Sequence, residues 1–300
     1  MATFRIPRVV LVTRATDFEA LIARHGTRDQ AKFFLETRGQ KIEESEARQV
    51  RFELAHKTVL DAIPVKWRRS RIDRADLSCF VFEPEDLVLA LGQDGLVANV
   101  AKYLEGQLVL GVNPDPGAFE GVLVRHTPQA VADLLADAVQ QRCKVEERTM
   151  VEARLDDGQH LLALNEVFVG HRSHQSARYR IRQGEKEERH SSSGLIVTTG
   201  TGSTGWAKSI SRDRKGSVVL PKPTDPRLAF FVREAWPSKA TGTKLCEGLV
   251  DGTHPLELIS EMNEDGVLFG DGIEEDRLEF TWGMGARIDL AAQRLRLVQN

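Results

Sequence analysis

Asp94 stands between two glycines, in Gly92-Gln93-Asp94-Gly95. The apolar run Leu87-Val88-Leu89-Ala90-Leu91 leads into it, with the length and character of a strand buried on both faces. Val97, Val100, Ala101 and Leu104 follow at helical spacing. The pattern predicts strand, tight turn, helix. In an open α/β sheet ligands bind at the carboxyl ends of strands. A helix N-terminus there offers free N–H groups and partial positive charge, which suits phosphate. A carboxylate at the same point repels phosphate unless it serves a metal or moves a proton. The plainer alternative is an Asp-Gly turn with a helix cap.

Two further stretches carry chemistry. Asn165-Glu166 closes an apolar run, Leu161-Leu162-Ala163-Leu164. Thr199-Gly200-Thr201-Gly202-Ser203-Thr204-Gly205 follows Leu195-Ile196-Val197. Small hydroxylated residues and glycines let backbone approach a ligand closely and supply N–H and O–H donors. A helix beginning after Gly205 would add another phosphate or ribose site. No Gly-Lys-Ser/Thr follows, so this is not a Walker A loop, and G-x-G-x-x-G is not in its usual place. The alternative is a flexible surface loop.

Other chemistries find less support. His171 and His174 follow Glu166, but no Cys or carboxylate cluster completes a metal site, and no metal ligand is assigned. Ser203 lacks a nucleophile-elbow context. Cys79, Cys143 and Cys246 are odd in number and widely separated, which suggests a reducing compartment. A net charge of −3, with 41% hydrophobic and 28% charged residues, describes a globular chain with no general pull toward nucleic acid or anionic membrane. The basic run Lys66, Arg68, Arg69, Arg71 and Arg74 reads as a solvated strand edge or loop rather than a phosphate or nucleic-acid patch, since Trp67 is its one aromatic. Neither signal peptide nor membrane span is evident, and the expected location is the cytoplasm.

The elements that must position these residues fall into two groups. Val9–Thr13 predicts a first strand. Asp17 is placed to cap a helix over Phe18–Arg24, and Thr27 with Gln30 has capping-box spacing ahead of Ala31–Thr37. Ile42–Ile63 predicts a long helix, stopped by Pro64, with Val50, Leu54, Val59 and Leu60 on or near one face. Gln107–Val112 predicts a strand ending in the loop Asn113-Pro114-Asp115-Pro116-Gly117, and a helix starts at Thr127 or Pro128. Alternating strands and helices argue for a parallel α/β domain over residues 1–126. From about Lys144 strand-length runs take over: a hairpin of Val145–Leu155 with Gln159–Val169, another of Arg178–Arg182 with Lys186–His190, and six further short strands. A β-rich, sandwich-like domain over 127–300 is expected, its last residues free to pack back on the first domain. Ser211–Pro226 reads as an irregular loop.

In their order these motifs resemble the NAD kinase family, within the superfamily that includes diacylglycerol and sphingosine kinases. Gly92-Gln93-Asp94-Gly95-Leu96 stands where that family has Gly-Gly-Asp-Gly-Thr. Gly111-Val112-Asn113, Ala163-Leu164-Asn165-Glu166-Val167, Gly194-Leu195-Ile196-Val197 and Thr201-Gly202-Ser203-Thr204-Gly205-Trp206 match its later elements. Phe269-Gly270-Asp271-Gly272 is similar to its late Asp-Gly turn. Asn113-Pro114-Asp115-Pro116, Gly200-Thr201-Gly202 and Trp206 look more like the divergent mitochondrial-type branch. The resemblance runs from about Leu87 to Leu290.

It implies a Rossmann-like N-terminal α/β domain and a C-terminal β-sandwich, assembled as homodimers or homotetramers. It implies ATP- and Mg²⁺-dependent phosphorylation of the adenosine-ribose 2′-hydroxyl of NAD, with small-molecule nucleotides as partners and no nucleic acid or membrane. Asp94 is the expected base. Gly92 and Gly95 would admit phosphate or ribose, with Asn113 beside them. Asn165 would meet the adenine edge and Glu166 a ribose hydroxyl. Thr201, Gly202, Thr204, Gly205, Trp206 and Ser209 match positions lining the NAD pocket. Trp206 would stack on a ring; its alternative is a core indole. Four positions depart from the pattern. Gln93 replaces a glycine and carries a steric cost wherever that position needs positive φ or lies against phosphate. Leu96 replaces a threonine, Ser193 an aspartate, and Ile273 a polar residue. A nucleotide-binding protein without kinase activity, and a kinase for another hydroxyl acceptor (nucleoside or lipid), are the alternatives.

Overall fold

The structure, a computed structural model, describes residues 7–214 and 218–299. The first six residues, and 215–217 within the expected 211–226 loop, lie outside the described residues. The chain divides into two compact units, residues 1–146 with 296–300, and residues 147–295. That division falls later than the 126/127 boundary read from the sequence, because the helix after Thr127 packs on the first unit's sheet.

The first unit opens with β1 (Arg8–Thr13), whose central Val9, Val10, Leu11 and Val12 are buried. Helix α1 (Asp17–His25) is capped by Thr16, not Asp17. The Thr16 hydroxyl accepts the Glu19 N–H at 3.2 Å and the Glu19 carboxylate accepts the Thr16 N–H at 2.8 Å, a reciprocal box that a cap at Asp17 could not close. Helix α2 (Arg28–Glu36) takes its cap from Thr27 as expected. Helix α3 (Ile42–Ala62) buries Ile42, Ser45, Ala55 and Val59 but leaves Val50 and Leu54 63% and 65% exposed. Val50 is five residues from Ala55, about 140° around the helix, so only part of the expected apolar face meets the core. The basic run forms the exposed edge strand β2 (Arg68–Asp73).

Strand β3 (Leu87–Leu91) is buried along its whole length, and α4 (Asp94–Ala101) follows after the Gly92-Gln93 turn. Strand β4 (Leu108–Val112) and helix α5 (Val131–Val139), entered through a 3₁₀ turn at Pro128–Ala130, complete the unit. All pairings are parallel, in the order β2-β1-β3-β4, and Arg296 and Leu297 add to β4. Strand β1 pairs with both β2 and β3, so the order switches direction between β1 and β3. Ala55 and Val59 of α3 and Val131, Leu134 and Leu135 of α5 cover one face of this sheet.

In the second unit β5 (Val145–Leu155) pairs with β6 (His160–Ala163), and β7 (Glu166–His171) follows. The single strand expected over Gln159–Val169 is therefore broken at Leu164-Asn165: β6 stays with β5, whereas β7 joins the other sheet. The hairpin β8 (Ala177–Gln183) and β9 (Lys186–Ser192), then β10 (Leu195–Thr198), lead to helix α6 (Trp206–Asp213). Strands β11 (Leu228–Val232), β12 (Glu247–Val250), β13 (Leu256–Ser260), β14 (Gly266–Gly270), β15 (Ile273–Glu279) and β16 (Gly285–Val298) complete it. One sheet runs β16-β13-β8-β9 with β5 and β6 alongside; the other runs β12-β11-β10-β7-β14-β15 and is antiparallel throughout.

Val151, Tyr179, Ile181, Leu256 and Ile288 of the first sheet meet Val167, Leu195, Val197, Phe230 and Leu268 of the second in one core. This is a β-sandwich, with inward residues alternating along each strand. Among the described residues no helix is long and apolar enough to cross a membrane. The three cysteines are free thiols.

Candidate functional site

In the first unit Asp94 heads α4 with its side chain half-buried. Its Oδ1 accepts the backbone N–H of Leu123 at 2.7 Å and of Val124 at 3.0 Å, and its Oδ2 accepts that of Val122 at 3.0 Å. These bonds fix the carboxylate and hold the 122–124 segment. A carboxylate has about four acceptor positions, so one remains on Oδ2. The replaced glycine at Gln93 proves conformationally cheap: φ is −97° and ψ 168°, extended backbone that any residue adopts. Gly92 is buried and donates its N–H to Val112 O at 3.0 Å, and a methyl at Gly95 would meet nothing within 4 Å. Leu96 is buried in the unit's interior, 1% exposed, so a threonine hydroxyl is missing there but no apolar group is added to the surface.

Asn113 is spent on its own loop. Its amide donates to Phe119 O at 2.8 Å and its side-chain oxygen accepts the Asp115 N–H at 3.0 Å, an Asx turn that shapes 113–119. Near these groups a concavity lined by Arg14, Thr16, Arg48, Gln49, Gln93 and Asp115 opens where the strand order switches between β1 and β3, the place where open α/β sheets bind ligands.

The second unit gathers a different set. At the break between β6 and β7, the Asp271 carboxylate accepts the N–H groups of Leu164 at 2.9 Å and Asn165 at 2.6 Å, and the Asp271 N–H donates to Glu166 O at 3.0 Å. Asp271 and Gly272 have φ of 56° and 70°, the successive positive values of a tight Asp-Gly hairpin turn joining β14 to β15. Thr199 closes the corner from the other side. Its hydroxyl donates to Leu164 O at 2.6 Å and accepts the N–H groups of Thr201 at 3.0 Å and Gly202 at 3.3 Å, while its own N–H donates to Asn165 O at 2.9 Å. Gly202 lies so close that a methyl there would sit 2.3 Å from the Asn165 carbonyl oxygen.

With their backbones held, Asn165 and Glu166 keep half-buried side chains that make no hydrogen bond among the described residues. Burial first, and the Asp271 charge second, push the Glu166 carboxyl up to about 7. Thr204, Gly205 and Ser209 are exposed at the head of α6, and Thr201 Oγ1 accepts from Arg148 at 3.4 Å. Trp206 is 49% exposed and therefore not a core indole; it stands edge-on to Phe168, ring centres 6.4 Å apart.

Within the second unit, the structure thus brings Asn165, Glu166, Thr201 and Gly202 to one corner, and places Trp206 and Ser209 on the adjoining helix. Sequence reasoning quoted Thr199 and Asp271 but assigned neither to the site. The signal for Asp271 was the Phe269-Gly270-Asp271-Gly272 turn; nothing in the sequence tied it to the backbone of Asn165. Among the described residues no group of three or more His, Cys, Asp or Glu side chains is arranged to hold a metal ion.

No family model matches the chain. A crystal structure of an NAD kinase from Archaeoglobus fulgidus in complex with ATP aligns over 98% of this chain and 94% of its own, with a TM-score of 0.59 and 18% identity. Yeast NADH kinase complexed with NADH aligns over 99% and 84%, with a TM-score of 0.60 and 14% identity. At those identities the likeness shows the fold alone: an N-terminal α/β domain and a C-terminal β-sandwich.

Sequence relatives carry the relationship further. The NAD kinase of Methanospirillum hungatei is 28% identical over 200 residues, 65% of this chain and 68% of the relative. That of Bacteroides fragilis is 29% identical over 145 residues, and rat NAD kinase 2, mitochondrial, is 28% identical over 227; these two matches span 47% and 53% of the relatives, about half of each. By sequence the chain is thus similar to NAD kinases at 28–29% identity.

Proposed function

We propose that the chain phosphorylates NAD at the 2′-hydroxyl of its adenosine ribose, with ATP as donor, to give NADP. The observation that carries this reading is the corner at Asn165-Glu166, where Asp271 and Thr199 bind the backbone and leave an amide and a carboxylate unpaired, in a chain whose relatives are named NAD kinases. The Asn165 amide can donate to and accept from an adenine edge, and Glu166 can bond a ribose hydroxyl. Gly202 lets its loop pack against the Asn165 backbone, and Trp206 offers a half-exposed ring for stacking.

A ribose hydroxyl is a weak nucleophile, and a positioned carboxylate that takes its proton contributes about 10²–10⁴-fold. Asp94 is assigned this role: three backbone amides orient it and one acceptor position stays open. The extended backbone at Gln93 removes the conformational objection to a non-glycine residue at this turn. Glu166 is the second candidate for proton acceptor, since its carboxyl, raised to about 7, changes charge near neutrality. Mg²⁺ takes one or two carboxylates and otherwise phosphate and water oxygens. Carried on the nucleotide, it would neutralise charge on the β- and γ-phosphates. The reading includes a reducing, cytoplasmic setting for the free cysteines and assembly as a dimer or tetramer, testable by light scattering.

The kinase reading is tested by a panel of acceptors with labelled ATP and Mg²⁺. NAD should take the label in preference to nucleosides and diacylglycerol. Transfer to a nucleoside or lipid with none to NAD would replace the reading.

A further inference from the structure

The face of the β12-to-β15 sheet turned away from the sandwich core is graded in chemistry. Along β7 that face carries Glu166, Phe168 and Gly170, and the alternation continues to Arg172 just past the strand. On the flanking strands Thr198 lies opposite Glu166 and Ile196 opposite Phe168, and the Arg233 N–H donates to Gly194 O at 2.7 Å. Phe168 lies flat over two glycines: a methyl at Gly170 or Gly194 would come within 2.4 or 2.6 Å of its ring. The acidic corner thus grades through an aromatic floor into a cationic end.

That end is a concavity whose lining includes Phe168, Trp206, Arg172, Arg233, Arg277 and Glu274. Glu274 is its one carboxylate, against three guanidinium groups, in a chain whose net charge is −3. Arg277 donates to Glu274 O at 3.1 Å and stands 3.4 Å from the Glu279 carboxylate. The Arg172 and Arg233 side chains have no carboxylate or carbonyl partner among the described residues; Arg233 lies 5.0 Å over the Trp206 ring. Three guanidinium groups thus line the concavity that the half-exposed indole also lines. Guanidinium forks match phosphate oxygens, and flat rings receive a base.

We infer that this concavity is a phosphate-binding end of the site, taking a phosphorylated nucleotide with its phosphate on Arg172 and Arg233 and a ring against Trp206. Arg277, held by the strand β15 that bears it, adds positive charge behind them. The inference rests on the proposed function only in taking the ligand to be a nucleotide. Phosphate of this kind has two sources, the diphosphate bridge of NAD or the triphosphate tail of ATP.

Calorimetry on the full chain tests it without turnover. NAD, ATP and adenosine are titrated separately into wild type and into the double variant Arg172→Gln, Arg233→Gln. Adenosine, which lacks phosphate, should bind both proteins alike. A charge-assisted hydrogen bond lost in each substitution should weaken the phosphorylated ligand about 10- to 100-fold. A loss confined to NAD assigns the bridge, and a loss confined to ATP assigns the tail. Unchanged affinity of the double variant for both nucleotides overturns the inference, as does a loss that extends equally to adenosine. NADP formation by a double variant with wild-type affinities would leave the kinase reading standing and remove the arginine cluster from it. Loss of phosphate-dependent binding in a protein that makes no NADP would do the reverse.

Discussion

The Asp271 carboxylate accepts the backbone N–H of Asn165 at 2.6 Å, across more than a hundred residues of sequence. With the matching bond from Leu164 at 2.9 Å, it turns the chain from one sheet of the sandwich to the other. Removing the acceptor leaves two amides orphaned, each costing about 1–3 kcal/mol. Asp271→Ala should therefore lower stability by about 2–6 kcal/mol in urea unfolding. Asp271→Asn should lose less, because asparagine tolerates the left-handed backbone at φ 56° and keeps one acceptor oxygen. Equal losses in the two variants would show that the turn's backbone does not depend on that acceptor.

Burial of Glu166 should make stability depend on pH, and the sign follows from its raised carboxyl. Its carboxyl is raised from 4.5 to about 7, so the folded chain holds a proton that the unfolded chain releases. The stabilisation is complete below about pH 4.5 and is lost as pH rises to 7. Glu166→Gln cannot ionise and escapes that loss. At pH 8 it should be more stable than wild type by on the order of 2 kcal/mol, and at pH 4 no more stable. Denaturant unfolding at the two pH values reads the difference directly; a variant no more stable at pH 8 contradicts the raised carboxyl. If Glu166 is the proton acceptor, the acidic limb of kcat/KM near pH 7 should also vanish in Glu166→Gln.

Glycines should respond to alanine according to the space around each. A methyl at Gly202 would sit 2.3 Å from Asn165 O, and one at Gly111 would sit 2.1 Å from Leu123 O. Each substitution must move backbone and should cost more than about 3 kcal/mol, beyond the range of ordinary surface changes. Gly95, on α4 with open space around it, should tolerate alanine and gain about 0.5–1 kcal/mol of helix stability. Thermal melts of the three variants check this ordering.

Much of this was legible because short-range chemistry determined it. The buried run Leu87–Leu91, the turn at Asp94 and the Thr27 cap follow from local patterns, and both fold layers follow from where alternation replaces helical spacing. The rest depended on distant partners. Gln159–Val169 reads as one strand because nothing local reveals that Asp271 will take the N–H groups of Leu164 and Asn165. Asn113 reads as a ligand-site residue, and nothing local reveals that its amide also bonds Phe119 O. Val50 and Leu54 satisfy helical spacing, yet the core is met by Ala55 and Val59. Phe168 and the arginines around Trp206 carry no motif; only strand pairing brings them together.

Asp94 is held by the N–H groups of Val122, Leu123 and Val124, so its substitution should act on stability as well as turnover. Asp94→Asn retains one acceptor oxygen and should cost about 1–3 kcal/mol. Calorimetric affinity for NAD should stay within a few-fold of wild type. Turnover should fall by about 10²–10⁴ if Asp94 takes the ribose proton. Full turnover in a folded Asp94→Asn protein would move that role to Glu166.

The assignment as a kinase meets its decisive test in one coupled assay: purified full chain, NAD, ATP and Mg²⁺, with NADP read by the absorbance of an NADP-specific dehydrogenase. NADP should accumulate in proportion to enzyme and stop when ATP is withheld. No NADP from a wild-type chain that calorimetry shows to be saturated with NAD would contradict the assignment.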